Sequence, residues 1–303
     1  MINKLIAWII PFFPEKFVWI FSKKYIAGKN FTDAVKIVRQ LNSTGVLTTI
    51  DILGESMENK RQAREFQEKY FRTIEESAKK GLKTTFSLKP TMFGLLMDFD
   101  FCYKTIREII SRAARNDLMV RIDMEDSECT DPELALFKKL YNEFPANAGI
   151  VLQAYLRRTL TDLEEISRYS RPETPVNIRL CKGIYIEPRE LAYRKKQEIR
   201  NNYLKCLDFM LSRNLYPALA THDKELIKKC LSVIEKHGKE KTGYEFQMLY
   251  GVTPRLRDRI VNEGHSMRIY VPFGEHWFNY STRRLKENPH IVRDIILGFL
   301  TRK

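Results

Sequence analysis

Five cations stand out by their setting. Lys89, Arg179 and Lys182 each follow a short apolar run, and Arg283 and Arg284 sit side by side near the C-terminus. Polar residues close the other apolar runs: Asp51 with Glu55, Asp123 with Glu125, then Gln153, Thr221 with His222, Gln247 and Tyr270. One such residue is a solvated loop start, whereas a full ring of them is a polar site on an apolar scaffold. Guanidinium and ammonium groups grip carboxylates and phosphates, so this ring suits an anionic cofactor together with an anionic substrate. There is no Ser-His-Asp spacing that would serve acyl transfer, and no carboxylate pair suited to glycoside hydrolysis. The His residues show no HExxH-type spacing, so no metal site is expected.

Each of these residues also has a bland reading. Arg283 and Arg284 make an ordinary solvated helix face, with Glu287 four and three residues further on for surface ion pairs. Lys often begins loops, as at Lys89. Tyr185 and Tyr270 suit barrel-edge packing, His222 a satisfied loop histidine, and the aromatic segment 93–101 core packing. Asp123 fits a structural role less easily, because two carboxylates beside Met124 at a strand end are hard to bury without partners.

The elements that carry these residues alternate. Apolar runs predict strands at 46–52, 83–88, 119–123, 148–153, 176–180, 217–220, 245–249 and 267–271, and amphipathic stretches between them predict helices. Helices are expected at 65–80, 103–115, from Asp131 as N-cap, from Thr161, at 190–211, from Lys224, after Thr253 and Pro254, and through Arg284. Eight βα units in ~250 residues is the count of a (β/α)8 barrel. A doubly wound sheet would want a Gly-rich first βα turn, and the turn 52–56, Ile-Leu-Gly-Glu-Ser, is not GxGxxG. The fold class is therefore α/β, a TIM-type barrel over 46–303 with extra N-terminal helices in 1–45. Thr32 is expected to cap one of those helices and Gly45 to end it. A barrel holds its active site at the C-terminal ends of its strands, where the polar ring lies.

Composition limits the rest. The 303 residues are 44% hydrophobic and 30% charged, enough to bury a core and stay soluble. The net charge of +14 admits nucleic acid, an anionic membrane surface or an anionic ligand as partner. Its basic residues are spread along the chain without an RRM, zinc-finger or helix-turn-helix signature, so no nucleic acid is expected. Five Cys with no CxxC pair read as reduced thiols in a cytoplasmic protein. The apolar run 5–13 is broken by Pro11 and Pro14 and is far below the ~20 residues of a membrane span. It lacks a small-residue cleavage site and reads as a helix packed on the domain. The sharper reading is a membrane-surface contact through Trp8, Phe12, Phe13 and Trp19.

The motifs, taken together and in order, resemble proline dehydrogenase. They are Lys89-Pro90-Thr91, Arg121-Ile122-Asp123-Met124-Glu125, Leu152-Gln153-Ala154-Tyr155, Arg179 to Tyr185 as RLCKGIY, Ala220-Thr221-His222, Glu245 to Gly251 as EFQMLYG, Arg268 to Gly274 as RIYVPFG, and Tyr280 to Asn288 as YSTRRLKEN. The resemblance covers most of the chain, from about 46 to 288. It implies oxidation of L-proline to 1-pyrroline-5-carboxylate by hydride transfer to N5 of non-covalent FAD, with electrons passed to a membrane quinone. It implies that Lys89, Arg283 and Arg284 hold the substrate carboxylate, that Asp123 accepts from Lys89, and that Tyr185, Leu249, Tyr270 and Tyr280 wall the ring. Arg179 then sits by the reactive edge of the flavin, and Met124, Gln153, Lys182, Gly183, Ile184, Thr221 and His222 line the FAD. Asp123, Arg179 and Tyr270 form the implied catalytic set, with Glu287 behind the Arg pair. Two residues depart from the family pattern: Ile184 stands where Ala is usual, and Cys181 where Val is usual. The implied place is the cytoplasm, peripheral at the inner face of the membrane. The competing readings are a flavin barrel of the methylenetetrahydrofolate reductase type and a non-catalytic basic membrane-surface barrel.

Overall fold

A computed structural model of the chain describes residues 15–54, 59–278 and 280–282. Its strands close a parallel barrel in the order β1-β2-β3-β4-β5-β6-β7-β8, with β8 pairing back to β1. They are β1 (Leu47–Ile52), β2 (Thr84–Leu88), β3 (Val120–Ile122), β4 (Ala148–Gln153), β5 (Asn177–Cys181), β6 (Tyr216–Ala220), β7 (Glu245–Leu249) and β8 (Met267–Phe273). The helices are α1 (Glu15–Ser22), α2 (Phe31–Asn42), α3 (Lys60–Lys79), α4 (Phe99–Ala114), α5 (Thr130–Glu143), α6 (Thr159–Ser167), α7 (Lys196–Ser212), α8 (Lys224–Lys236) and α9 (Pro254–Asn262). This is the barrel the alternating pattern predicts.

Strand residues alternate between the two faces. Ile50, Phe86, Leu88, Ile122, Leu180, Leu219 and Ile269 belong to the main apolar core. The intervening positions are polar and bond across strands. Thr49 meets Thr85 at 2.9 Å, Ser87 donates to Asp123, and Arg268 donates to Glu245. Such alternation is unusual for parallel strands, which are covered on both faces and normally read as continuous apolar runs. It puts a charged, hydrogen-bonded stack where many barrels hold branched aliphatics.

The N-terminal helices pack on this scaffold. Ala34, Val35, Val38 and Leu41 of α2 join the barrel core. Val18 of α1 packs in a separate apolar group with Ile26, Leu53, Trp277 and Tyr280. Trp19 meets Trp277 edge-on at 4.7 Å, and the Lys29 ammonium lies 5.5 Å from both rings. Trp19 is thus partly buried in this packing. Trp8, Phe12 and Phe13 lie outside the described residues, as do Glu55, Arg283, Arg284 and Glu287.

Several expected boundaries move for identifiable reasons. Asn30, not Thr32, caps α2, its side chain accepting from Asp33 N. Asp131 is not an N-cap: α5 begins at Thr130, and Asp131 pairs with Arg158. Thr253 makes no side-chain cap bond and takes a left-handed conformation, its hydroxyl turned to the Met248 sulfur. The helix expected from 190 starts only at Lys196, because the preceding backbone is already bonded elsewhere. Arg157 N donates to Leu191 O, Tyr193 N donates to Tyr155 O, and Glu187 takes both the backbone N–H and hydroxyl of Ser127. In the segment 93–101, Phe93 is buried as expected, but Leu96 and Met97 are exposed.

Candidate active site

The polar ring surrounds one cavity of about 610 Å³ at the C-terminal ends of the strands. At its centre lies the Asp123 carboxylate, at the end of β3. Oδ1 accepts from Ser87 Oγ and from Arg179 Nη1, both at 2.8 Å, and Oδ2 accepts from Tyr270 OH at 3.1 Å. Burial would raise the Asp123 pKa, but Arg179 and Lys89 outweigh it and hold the group below the usual carboxylate range. The same carboxylate and burial push the Tyr270 phenol well above its ordinary value, so it remains a donor. The Arg179 guanidinium lies 5.0 Å from the Tyr270 ring centroid, a cation–π contact.

Lys89 enters from the end of β2. Its nearest partner is Asp51 of β1, at 3.3 and 3.4 Å, while Asp123 stands at 3.7 Å. The expected pairing with Asp123 is present at that longer distance, and the fully buried Asp51, brought there by the β1–β2 pairing, is the closer carboxylate. Burial lowers the ammonium pKa, but Asp51 and Asp123 raise it further, and the net shift is upward.

The remaining expected residues line the same cavity. Met124 and Gln153 come from β3 and β4, Lys182 to Tyr185 from the loop after β5, Thr221 and His222 from the loop after β6, and Leu249, Tyr270 and Tyr280 from the last units. Gln153 Nε2 donates to the carbonyls of Met124 and Glu125, at 2.9 and 2.7 Å. His222 Nε2 accepts from Leu249 N–H at 2.9 Å. Lys182 pairs with Asp223 at 3.1 Å, and Arg200 grips the same carboxylate at 2.6 and 2.9 Å. Asp223 also caps α8, and these donors pull it far below the usual range although partial burial opposes them. Gly183 has φ +98, and a Cβ there would come within 2.0 Å of the Tyr155 ring. Only glycine lets the β5 loop turn so close to that ring. Tyr280 is buried between the cavity and the α1 group, so α1 backs one wall of the site.

Three buried atoms in this lining have no hydrogen-bond partner among the described residues: Glu125 Oε1, the Gln153 Oε1 acceptor and the Arg179 Nη2 donor. They invite a ligand that offers a donor and an acceptor of its own. A family model described as proline dehydrogenase matches residues 34–294.

The chain belongs to the proline dehydrogenase family.

It is 37% identical to proline dehydrogenase 2 of Bacillus subtilis over 280 residues, 92% of this chain and 90% of that protein. It is 32% identical to the proline dehydrogenase of Deinococcus radiodurans over 287 residues, 93% and 91% of the two chains. A crystal structure of proline utilization A from Bdellovibrio bacteriovorus, inactivated by N-propargylglycine, superposes with a TM-score of 0.82 at 27% identity. That match covers 88% of this chain, which spans about a third (32%) of the larger protein. Proline utilization A of Bradyrhizobium japonicum, at 22% identity and a TM-score of 0.71, shares the fold.

Several residues of this proline dehydrogenase site escaped the sequence reading. Ser87, Tyr155, Asp223 with Arg200, and Glu245 all bond to or pack against the lining. Ser87 and Glu245 had a signal, since each lies two residues before a strand-end polar residue on the same face of its strand. Arg200 had none, because it lies inside α7 and meets Asp223 across the fold. A further buried pair lies beside the cavity. Glu125 accepts from the Thr91 hydroxyl, and Glu133 accepts from Glu125 N–H. Burial, then the Glu125 charge, push the Glu133 pKa up to about 9, so this carboxyl is protonated near neutral pH.

Proposed function

We propose that the chain oxidises L-proline to 1-pyrroline-5-carboxylate with non-covalently bound FAD and passes the electrons to a membrane quinone. The observation that carries this reading is the cavity itself. An anionic cluster at Asp123 and Asp51 is overlaid by Lys89 and Arg179, beside the orphan Gln153 Oε1 and Arg179 Nη2. The pyrimidine edge of a flavin has both an N–H donor and carbonyl acceptors, so the residues present fit the group. Bound flavin would supply the hydride acceptor. Gln153, Arg179, Lys182, Gly183, Ile184, Thr221, His222 and Met124 would hold it.

Lys89, together with Arg283 and Arg284 outside the described residues, would clamp the proline carboxylate. Asp51 and Asp123 keep the Lys89 ammonium charged and in place for that task. Tyr185, Leu249, Tyr270 and Tyr280 would enclose the ring and exclude water, holding the reacting carbon in a near-attack pose. Arg179 stabilises negative charge that develops on the acceptor side. Asp123 stays ionised and Lys89 and Tyr270 stay protonated across the working range, so none of the three takes up the proton that the substrate amine must lose. That proton leaves before hydride does.

No helix among the described residues is long and apolar enough to cross a membrane. The quinone would then be met at a membrane surface from the cytoplasmic side, aided by the basic charge of the chain. An anaerobic absorption spectrum tests the reading. The purified protein shows the oxidised flavin bands, and L-proline bleaches them. Acid precipitation releases FAD to the supernatant. Colourless protein, retained flavin, FMN in place of FAD, or flavin indifferent to proline overturns it.

A further inference from the structure

Below the Asp123 cluster lies a second buried carboxylate that the proposed reaction leaves without a role. Glu245 opens β7 and is 1% exposed. Its two oxygens accept from Arg268 Nε at 2.9 and 3.0 Å, and Oε1 also accepts from Gln247 Nε2 at 2.5 Å. Gln247 stands two residues on, on the same face of the strand. Its Oε1 accepts from Arg179 Nε at 2.6 Å, and Arg179 Nη1 donates to Asp123. A continuous string, Arg268–Glu245–Gln247–Arg179–Asp123, therefore runs from within the barrel to the cavity.

The middle of this string is an amide, which can present either its oxygen or its NH2 to a neighbour. Its direction is imposed from both ends, because the Arg179 guanidinium can only donate. An ionised carboxylate only accepts, so Glu245 must receive the NH2, and the oxygen is left for Arg179. Burial would raise the Glu245 pKa, but Arg268 and then Arg121 outweigh it and hold the group below the usual range. Glu245 thus stays an acceptor wherever the protein works. Two of the Arg179 nitrogens are spent on Gln247 and Asp123, and those two bonds fix where the third, Nη2, points. Arg179 lines the cavity, whereas Glu245 does not.

We propose that Glu245 is a positioning residue for the redox step: by gripping the Gln247 NH2 it holds the amide oxygen on Arg179 and so fixes the guanidinium that faces the cofactor cavity. The inference rests on the proposal that a flavin occupies that cavity. With Glu245 neutralised, the Gln247 NH2 loses its charged acceptor, the amide is held less firmly, and the guanidinium loses a fixed anchor. A cation fixed beside a flavin favours the negative charge of the reduced form. A loosened cation favours it less, and the midpoint potential falls.

The test is a spectroelectrochemical titration of the holoenzyme as wild type, Glu245→Gln and Gln247→Met. The first variant is isosteric but leaves Arg268 without its counter-charge. The second cuts the same link while keeping the Glu245–Arg268 pair, and it decides the matter if the first fails to fold. Both should shift the midpoint negative by about 30 mV or more, which is tenfold in the ratio of reduced to oxidised affinity for a two-electron couple. Both should lower kcat/KM for proline about tenfold, with Tm falling more in Glu245→Gln. A wild-type potential in Gln247→Met overturns the inference, as does a positive shift, because Glu245 then acts by packing or charge alone. A wild-type flavin that proline does not bleach refutes the functional reading instead and leaves the comparison of potentials valid.

Discussion

Ile184→Ala separates a steric gate from simple packing. The side chain is half exposed (51%) and lines the cavity, between Gly183, pinned on Tyr155, and Tyr185. The alternative that it points into barrel packing is therefore set aside. Truncation to Ala removes three carbons. A fully buried site would lose about 2–5 kcal/mol of stability, and half exposure with a cavity on one side brings the expected cost to about 1 kcal/mol or less. Selectivity should respond more. Ile is branched at Cβ and cannot easily swing aside. Where the family usually has Ala, it takes volume beside the proposed ring site. One methylene in an apolar pocket discriminates by about 1–3 kcal/mol, so proline should be preferred over hydroxyproline or pipecolate by ~10- to 200-fold from this contact. In Ile184→Ala, kcat/KM for proline should stay roughly constant while the two bulkier substrates gain by that factor. The assay is kcat/KM for all three substrates with a soluble acceptor, with Tm measured alongside. Unchanged ratios refute the gate, and a stability loss of several kcal/mol would show that the side chain packs inward after all.

Asp51→Ala should strand the Lys89 ammonium beside Asp123 alone. Lys89 is 22% exposed at its side chain, so solvent softens the loss to about 3 kcal/mol or less, and KM for proline should rise at least tenfold. An unchanged KM would show that Asp123 suffices. Arg283→Ala and Arg284→Ala should each cost about 2–5 kcal/mol in kcat/KM, mostly through KM, with flavin content kept and only partial rescue by Lys; unchanged KM in both marks a surface pair. Turnover should climb with pH, because the substrate amine must deprotonate while Asp123, shifted down, and Lys89, shifted up, hold their charges. A pH profile that falls from pH 6 to 9 contradicts this. Glu133 has a folded pKa of about 9 against an unfolded value of 4.5, so the folded state binds the extra proton between those limits and stability falls as pH rises through them. Glu133→Gln should raise Tm at pH 8 and change it little at pH 4, and equal shifts at both would refute the protonated carboxyl.

Much of this architecture was legible in the chain. The short apolar runs and the amphipathic stretches between them are local patterns, so β4 and β7 fall on their predicted limits and the other strands within two residues. Strand ends point to the active face of any parallel barrel, so the polar ring was legible as well. Partners were not, because they depend on register and closure. Asp51 meets Lys89 through the pairing of β1 with β2, and Tyr270 reaches Asp123 across 147 residues only because closure through β1 brings β8 within three strands of β3. The stretch 190–195 reads as the start of a helix, yet its backbone groups bond to the β4 loop, and tertiary bonds outweigh a weak local preference. Trp19 likewise has the composition of an interfacial anchor, and its edge-on contact with Trp277 was not legible in the chain. Residue types and local periodicity decided which groups reach the active face. Long-range pairing decided which of them touch, and hence that Asp51 and not Asp123 stands nearest Lys89.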